Sequence, residues 1–518
     1  MHNGTRLAAV DLGSNSFRLE IGYLDHGQIH RAEYLKETVR QGNGLDEERR
    51  LTPEAMQRGW DCLARFGERL AGFAPGQVRA VATQTLREAR NRDVFLSRAH
   101  QMLGFPIEVI SGLEEARLIY QGVARLLPQS DERRLVVDIG GRSTELILGQ
   151  GLDSEVMESY RVGSVAWSMK YFAAGQFTAD AFRRAEVAAK AVLDEALNAY
   201  PRQAWDVAYG SSGTIGAVAD ALGDAGWPTG QITRDGLDWL LDRLLKAQSA
   251  DRLRLAGMKD DRRAVIGGGL SVLRAVFELL RMDSLQAAQG ALRHGVLYDL
   301  LERDESNSDV RDASVRRLTA KFGVDSAQAQ RVAAVAGQLF AQMLAPGVAA
   351  MPKARAATDS DNTRQDESAR HARKLAWAAQ LHEIGILVSH SDYHKHGAYV
   401  LDNADAPGFA QPELHRLGLL VLGHRGKLRK LDADFEDTVF VQQLMALRLA
   451  VILCHARRDP DLAGLQIECA PEPEKRFNLR CRAEWVRAYP QSAHLLGEEA
   501  LAWQKTPWVL QTAGLKAE

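Results

Sequence analysis

The chain has 518 residues, several times what one hydrophobic core serves, so a single-domain protein is excluded. Its 65 Lys+Arg against 67 Asp+Glu give a formal net charge of -2, so no global basic excess marks it as a nucleic-acid or membrane-surface coat, and any polyanion must be met by local patches. With 46% hydrophobic and 25% charged residues, global disorder is excluded too.

Cys62, Cys454, Cys469 and Cys481 are scattered without CxxC or zinc-like spacing, the pattern of reduced thiols. Only a short apolar run precedes Asp11, so no signal peptide is predicted, and both features point to the cytoplasm. From Leu7 to Val39 the pattern predicts three antiparallel strands with a Gly/Ser/Asn turn after the first. A helix follows, with Thr52 as N-cap and Pro53 in its first turn. Then come a strand near Val78 to Ala82, a helix near Asp93 to Leu103, a strand Ile107 to Ile110 and a helix from Gly112 to Leu127, the order of a mixed sheet flanked by helices.

The pattern then restarts. Residues 8–22, AAVDLGSNSFRLEIG, align without gaps on residues 135–149, LVVDIGGRSTELILG, an offset of 127 that indicates two copies of one domain with a ligand cleft between their turns. The second copy continues through a helix around Ala179 to Tyr200, a strand Val207 to Tyr209 and the loop GSSG at 210–213. Gly267 to Gly269 and Gly290 each precede a helical pattern. Residues 302–312 are charged and poor in apolar side chains, a candidate linker, and beyond them the period is helical. The uncharged stretch 332–351 is interrupted by Gly337, Gln338, Gln342 and Pro346, which predicts a buried helix with its exit loop rather than a membrane span. Residues 353–370 read as a polar loop, and LQIEC and RFNLRCRA near the end as a small terminal sheet.

The chemistry gathers in the repeated turns. In DLGSNS, Asp11 at a strand end can face a cation while the backbone of Ser14, Asn15 and Ser16 approaches a phosphate. The second copy offers Asp138, Gly140, Gly141, Ser143, Thr144 and Glu145, and the loop Gly210, Ser211, Ser212, Gly213 and Thr214 leads into a helix N-terminus. Each turn alone is an ordinary hairpin; three together indicate a phosphorylated ligand. Ser111 and Glu114 form a predicted capping box. Glu115 has no such explanation: it shares a helical side with Leu118, Ile119 and Gly122, where an unpaired carboxylate costs several kcal/mol. It is either paired with a cation such as Arg87 or held to accept a proton from water.

DLGSNS, SGLEEARLIYQGV, VVDIGGRSTELILG, GSSGT and GALRHGVLYD, in this order and spacing, resemble the exopolyphosphatase and guanosine-pentaphosphate phosphohydrolase family. LHEIG and LDNADAPGF extend the likeness to the long bacterial exopolyphosphatase form. The resemblance implies an α/β fold of duplicated actin/sugar-kinase-type ATPase domains (1–128 and 129–303), an all-helical HD-like domain (304–460) and a small C-terminal domain (461–518). It implies that Glu115 is the base or water-orienting acid and that Asp11, Asp138 and Glu145 hold Mg2+, with K+ as a further candidate ion. Ser14 to Ser16, Gly140 to Thr144 and Gly210 to Thr214 would wrap the phosphates, and Arg87 would neutralise their charge. The implied reaction is stepwise removal of terminal phosphate from inorganic polyphosphate. The alternatives are hydrolysis of guanosine pentaphosphate (pppGpp) and a sensor that binds without turnover. A homodimer at the inner face of the membrane is implied as well, without nucleic acid or an integral span. The family has a third glycine where this chain has Arg142; if that position needs positive φ, a side chain there costs about 1–2 kcal/mol, which a contact between Arg142 and phosphate would offset.

In the helical region His382, Glu383, His390, His394, His396 and His424 are candidate remnants of a metal site, with Glu replacing the Asp such a site needs, and the expectation is binding rather than chemistry. The run His424 to Lys430 concentrates cations and is a candidate track for a long polyanion.

Overall fold

The computed structural model describes residues 2–128, 130–304, 310–344, 359–404, 406–428, 431, 433, 435–471 and 473–515; at 304 and 359–366 it describes the backbone alone. The chain forms two units, Met1–Asp309 with Asp405–Ala410, and Val310–Ala404 with Gln411–Glu518.

The first unit contains two sheets of matching connectivity. Strands β1 (Arg6–Leu12), β2 (Phe17–Asp25), β3 (Gln28–Glu37), β4 (Val78–Ala82) and β5 (Ile107–Val109) lie in the order β3-β2-β1-β4-β5. Strands β6 (Arg133–Ile139), β7 (Thr144–Gln150), β8 (Asp153–Tyr160), β9 (Val207–Ser211), β10 (Gln231–Thr233) and β11 (Ser284–Ala287) lie in the order β10-β11-β9-β6-β7-β8. In each, three antiparallel strands continue into two parallel ones, and the second sheet adds β10 at its edge. The match extends to defects: both sheets slip register between second and third strands, at Ile21/Gly22 and Leu148/Gly149. A Cβ on Gly149 would stand 2.3 Å from the Asp153 carbonyl, so the repeated glycine has a steric cause.

Strand alternation sorts the first unit into three cores. Ala8, Val10 and Leu12 face one cluster with the Pro53–Arg69 and Arg92–Leu103 helices. Leu135, Val137 and Ile139 face another. Leu7 and Ala9 from one sheet and Val136 and Ile147 from the other share a third cluster with the Gly112–Ala124 and Leu292–Asp304 helices, which joins the halves.

Local expectations hold at several boundaries. Thr52 Oγ1 accepts from the Ala55 N–H, and Ser111 Oγ from the Glu114 N–H. Others need correction. Gly267 to Gly269 do not precede a helix; they lie inside Ile266–Leu279, where Gly268 lets it rest on the Ser164–Tyr171 helix, since a Cβ would be 2.5 Å from the Ser164 carbonyl. The helix at Ala179 breaks into Ala179–Leu193 and Ala196–Ala199. Glu114 does not complete a capping box. Its carboxylate is fully buried and accepts from Arg117 at 2.8 and 2.9 Å, Arg79 at 3.3 Å and the Gly408 N–H at 2.6 Å.

The second unit is helical through Val310–Lys321, Ser326–Leu344, Asp359–Leu381, Tyr393–Asn403, Gln411–Gly423 and Thr438–Leu453. Thr438–Leu453 is apolar on nearly every side and buried accordingly. Its one deep cation, Arg448, is paired with Glu499 Oε2 at 2.7 Å, satisfying a charge that burial would otherwise make costly. Ser326–Leu344 buries Val332, Ala336, Leu339 and Phe340, and among the described residues no helix is long and apolar enough to cross a membrane. Residues 345–351 of that stretch lie outside the described residues, as do 305–309 of the candidate linker. Residues 353–358 of the expected polar loop do as well, while 359–370 are helix despite their Asp, Ser, Asn and Thr content, as the first half of the Asp359–Leu381 helix. The terminal sheet pairs β12 (Leu465–Ala470) with β13 (Arg476–Cys481) and gains an unexpected parallel strand, β14 (Val509–Ala513). All four cysteines are free.

Candidate active site

β1 and β6 end side by side in function though not in sequence, each delivering an aspartate and a Gly/Ser turn to a cleft of about 350 Å³ between the halves of the first unit. Of the expected residues, Asp11, Ser14, Asn15, Ser16, Glu115, Asp138, Gly140, Gly141, Ser143, Ser212, Gly213 and Thr214 line it. The two turns confront each other closely: a Cβ on Gly141 would stand 2.8 Å from that of Ser14. Ser14 Oγ accepts from Thr85 Oγ1 at 2.7 Å, and its carbonyl accepts from the Gly42 N–H at 2.8 Å, which fixes the first turn.

The remaining expected residues stand behind this lining. Arg87 Nη1 donates to Glu115 Oε2 at 2.9 Å and to the Ile110 carbonyl at 2.8 Å, while Nε and Nη2 hold Gln84. Thr144 Oγ1 donates to the Val162 carbonyl, and Ser211 Oγ to that of Gly290, beside Gly210 at the end of β9. Arg142 reaches across to the first half, donating to Glu88 at 2.9 and 3.2 Å and to the Gly42 carbonyl at 3.1 Å. Its φ is not positive, so the missing glycine carries no left-handed strain. The strain sits instead at Ser212, with φ 103 and ψ 164. Ser212 Oγ caps the following helix by accepting from the Thr214 and Ile215 N–H groups.

Electrostatics divide the cleft. Asp138 and Glu145 stand opposite each other across β6 and β7. Burial, with Glu115 and Asp11 adding to it and Ser211 and Arg18 opposing, pushes the Asp138 carboxyl up to about 7. Burial also pushes Glu145 well above the ordinary carboxyl range, helped by Glu115 and Asp138. Glu145 Oε1 accepts from Ser159 at 2.8 Å, and its fully buried Oε2 has no hydrogen-bond partner. Glu115 is raised by burial, against the pull of Arg87. Among the described residues no three His, Cys, Asp or Glu side chains form a ready metal cage.

The same lining holds three cations that belong to no sequence motif, Arg18, Lys36 and Arg262. Arg18 Nη1 donates to Asp11 Oδ2 at 2.8 Å, Lys36 Nζ to Asp261 Oδ2 at 2.6 Å, and Arg262 lies with them. Burial pulls Lys36 and Arg262 below their ordinary values, with Arg18 pulling the same way. The Arg262 guanidinium occupies the space beside Gly213, where a Cβ would approach it to 2.2 Å. Like charges crowded this way favour an incoming anion. The available signal for Arg18 was its alignment, at the offset of 127, with Glu145; Lys36 and Arg262 had none.

In the second unit, His382 and His424 are buried, pack edge to face at 5.4 Å, and meet backbone carbonyls through Nδ1. Burial pushes both below the ordinary imidazole value, and Glu383 accepts from Arg457 at 2.9 Å. His390 is exposed, and His394 and His396 are half-buried. In the basic run Arg425 and Lys427 are exposed, while Arg429 and Lys430 lie outside the described residues.

Comparison with known proteins agrees with this architecture. The chain is 38% identical over 512 residues to a guanosine-5'-triphosphate,3'-diphosphate pyrophosphatase of Vibrio atlanticus, covering 97% of each chain. It is 37% identical over 505 residues to the protein of that name in Vibrio parahaemolyticus, again covering 97% of each. The solved structure of an exopolyphosphatase from Cytophaga hutchinsonii matches with a TM-score of 0.52 and 25% identity, covering 58% of this chain and 98% of that one. Residues 23–304 match the Ppx/GppA phosphatase family and residues 310–500 its domain III. With both units accounted for in this way, the chain belongs to the Ppx/GppA phosphatase family.

Proposed function

We propose that the chain is a pppGpp phosphohydrolase, cleaving the terminal phosphate of guanosine 5'-triphosphate 3'-diphosphate to release orthophosphate. The observation that carries the reaction type is Glu115: a buried carboxylate at the cleft, raised by burial and held by Arg87. Its position suits it to accept one proton of a water whose oxygen bonds to the terminal phosphorus, while the bond from that phosphorus to the bridging oxygen breaks in line. The Ser14 to Ser16 and Gly140 to Ser143 turns would hold the terminal phosphate through backbone N–H groups, with Thr214 and the helix N-terminus behind Ser212. Arg18, Lys36 and Arg262 would take the remaining phosphate charge.

Magnesium fits the second half. Glu145 keeps a buried oxygen with no hydrogen-bond partner, and burial disfavours the charge of Asp138 opposite it, so a hard cation would satisfy both. Mg2+ keeps several of its waters and is commonly held by one or two carboxylates together with substrate phosphates. Asp138 and Glu145, with Asp11 nearby, would hold it. When bound it supplies positive charge against the phosphate being transferred.

The sequence resemblance put polyphosphate first. The relatives matched over 97% of the chain, named for the guanosine nucleotide, support the alternative better. Polyphosphate remains a second reading, favoured by the exopolyphosphatase of Cytophaga hutchinsonii. The test is orthophosphate release from pppGpp and from long polyphosphate, side by side, with Mg2+. We expect higher kcat/KM on pppGpp, and Glu115→Gln to cut kcat by about 10² to 10⁴. A preference for polyphosphate would reinstate the first reading; turnover of neither would leave the non-hydrolytic sensor.

A further inference from the structure

The segment Ala406–Ala410 lies in sequence between the Tyr393–Asn403 and Gln411–Gly423 helices of the second unit, yet packs within the first. Two contacts tie it to the wall that carries Glu115, and a third ties it to the Leu292–Asp304 helix. Ala410 forms an isolated antiparallel bridge with Ile110. The Gly408 N–H donates to Glu114 Oε2 at 2.6 Å, and its carbonyl accepts from Arg303 Nη2 at 2.8 Å. Ile110 and Glu114 bracket the start of the Gly112–Ala124 helix, and Glu115 follows in its first turn. The chain of contacts continues to the carboxylate, since Arg87 Nη1 donates both to the Ile110 carbonyl at 2.8 Å and to Glu115 Oε2 at 2.9 Å. Glu114 is 0% exposed, so water cannot replace a lost donor there.

We propose that Ala406–Ala410 is a positioning strap for Glu115: by bridging Ile110 and donating to Glu114, it fixes the helix start and the Arg87 contact that aims the carboxylate. The inference rests on the proposed role of Glu115. Gly408 and Phe409 are its positioning residues. Gly408 has φ 90, a conformation in which a side chain is strained, and Phe409 is 1% exposed, anchoring the segment by burial. Phosphate binding falls to other groups, so a loosened strap changes kcat rather than KM; a displacement of about 1 Å in an acting group costs as much as 10²-fold.

The test uses the full chain, pppGpp and Mg2+, with Gly408→Ala, Phe409→Ala and Phe409→Leu, each in the unaltered protein and in Glu115→Gln, and thermal unfolding of every variant. Gly408→Ala and Phe409→Ala should lower kcat about tenfold with KM within about twofold, and Phe409→Leu should restore most of the rate. Neither strap change should lower the residual rate of Glu115→Gln further, because the group being aimed is gone. Exposed Tyr399→Ala is the control and leaves kcat unchanged. Strap variants that fold and keep full kcat, or that cut the Glu115→Gln rate by the same factor, overturn the strap while the role of Glu115 stands. If Gly408→Ala fails to fold, the Phe409 pair decides. If the unaltered protein releases no phosphate, or Glu115→Gln turns over normally, the role of Glu115 falls and the strap with it.

Discussion

The two halves of the first unit present an aspartate at the same strand end and give it opposite partners. Asp11 faces Arg18 across β1 and β2, whereas Asp138 faces Glu145 across β6 and β7, and the two partners are equivalent positions of the repeat. One charge reversal therefore separates a neutralised turn from an unneutralised one. In the first half Arg18 closes an ion pair and leaves Asp11 4% exposed; in the second, two buried acids repel each other and Glu145 keeps an oxygen without a partner. The repeat supplies two matching turns, and the asymmetry places an ion pair beside the first and two buried acids beside the second.

The sharpest way to break this contrast is Glu145→Gln, which keeps the shape and removes the second charge. Activity should fall by roughly two to three orders of magnitude, the scale of losing one preorganised electrostatic group. Without metal the same variant should unfold at a higher temperature than the unaltered protein, since an unpaired buried carboxylate is gone. Equal activity, or a lower metal-free unfolding temperature, would argue against a cation beside these two acids. The mirror experiment is Arg18→Gln. It strands Asp11 and should destabilise the protein by about 2–3 kcal/mol, opposite in sign to Glu145→Gln, with KM for a phosphorylated substrate rising. Denaturant unfolding and steady-state kinetics report both. Stabilisation by Arg18→Gln would show that the two halves are electrostatically alike after all.

The contrast also has a pH signature. Asp138 sits at about 7 in the folded protein against an ordinary 3.8, so the folded state holds its proton more tightly. That favours folding while the group is protonated and is lost as pH rises from about 4 through 7, a few kcal/mol at about 1.4 per unit. Glu145 and Glu115 are shifted in the same direction. The metal-free protein should therefore lose unfolding temperature between pH 5 and pH 8, as pH passes through the value of about 7 for Asp138, and Mg2+ should restore more at pH 8 than at pH 5. A flat metal-free profile with a Mg2+ effect independent of pH would remove the unneutralised acids from the account.

Much of this was legible in the sequence because the duplicated half is written as a gapless repeat: the paired aspartates, the glycine turns and even the bulge glycines recur at one offset. Glu115 stood out because an acid on an apolar helical side needs a reason. What could not be read was anything assembled from elements without a motif. Lys36 comes from β3 and Arg262 from a short helix at Asp260–Arg263; only folding brings them to Arg18. Glu114 looked locally explained by Ser111, whereas distant Arg79 and Gly408 claim its carboxylate. Backbone strain was expected at Arg142, from a missing glycine, and is found at Ser212, which carries no such signal.

The smallest predicted effect lies at that strained residue, and it again compares the halves. Thr83 follows β4 as Ser212 follows β9, yet Thr83 has φ -110 and Ser212 φ 103 with ψ 164, a region nearly reserved for glycine. Holding a serine there costs about 1–3 kcal/mol. Its hydroxyl repays part of this by capping two N–H groups, but glycine at an N-cap loses only a few tenths of a kcal/mol relative to serine. Ser212→Gly should therefore stabilise the protein by about 1 kcal/mol, measured by denaturant unfolding. It also frees the Thr214 and Ile215 N–H groups at the cleft, so KM should hold or fall. If the serine is there to keep those donors occupied until phosphate arrives, the variant should bind orthophosphate more tightly and be inhibited by it at lower concentration. A destabilised variant with weaker phosphate binding would mean that the hydroxyl, rather than the backbone it strains, is what this turn requires.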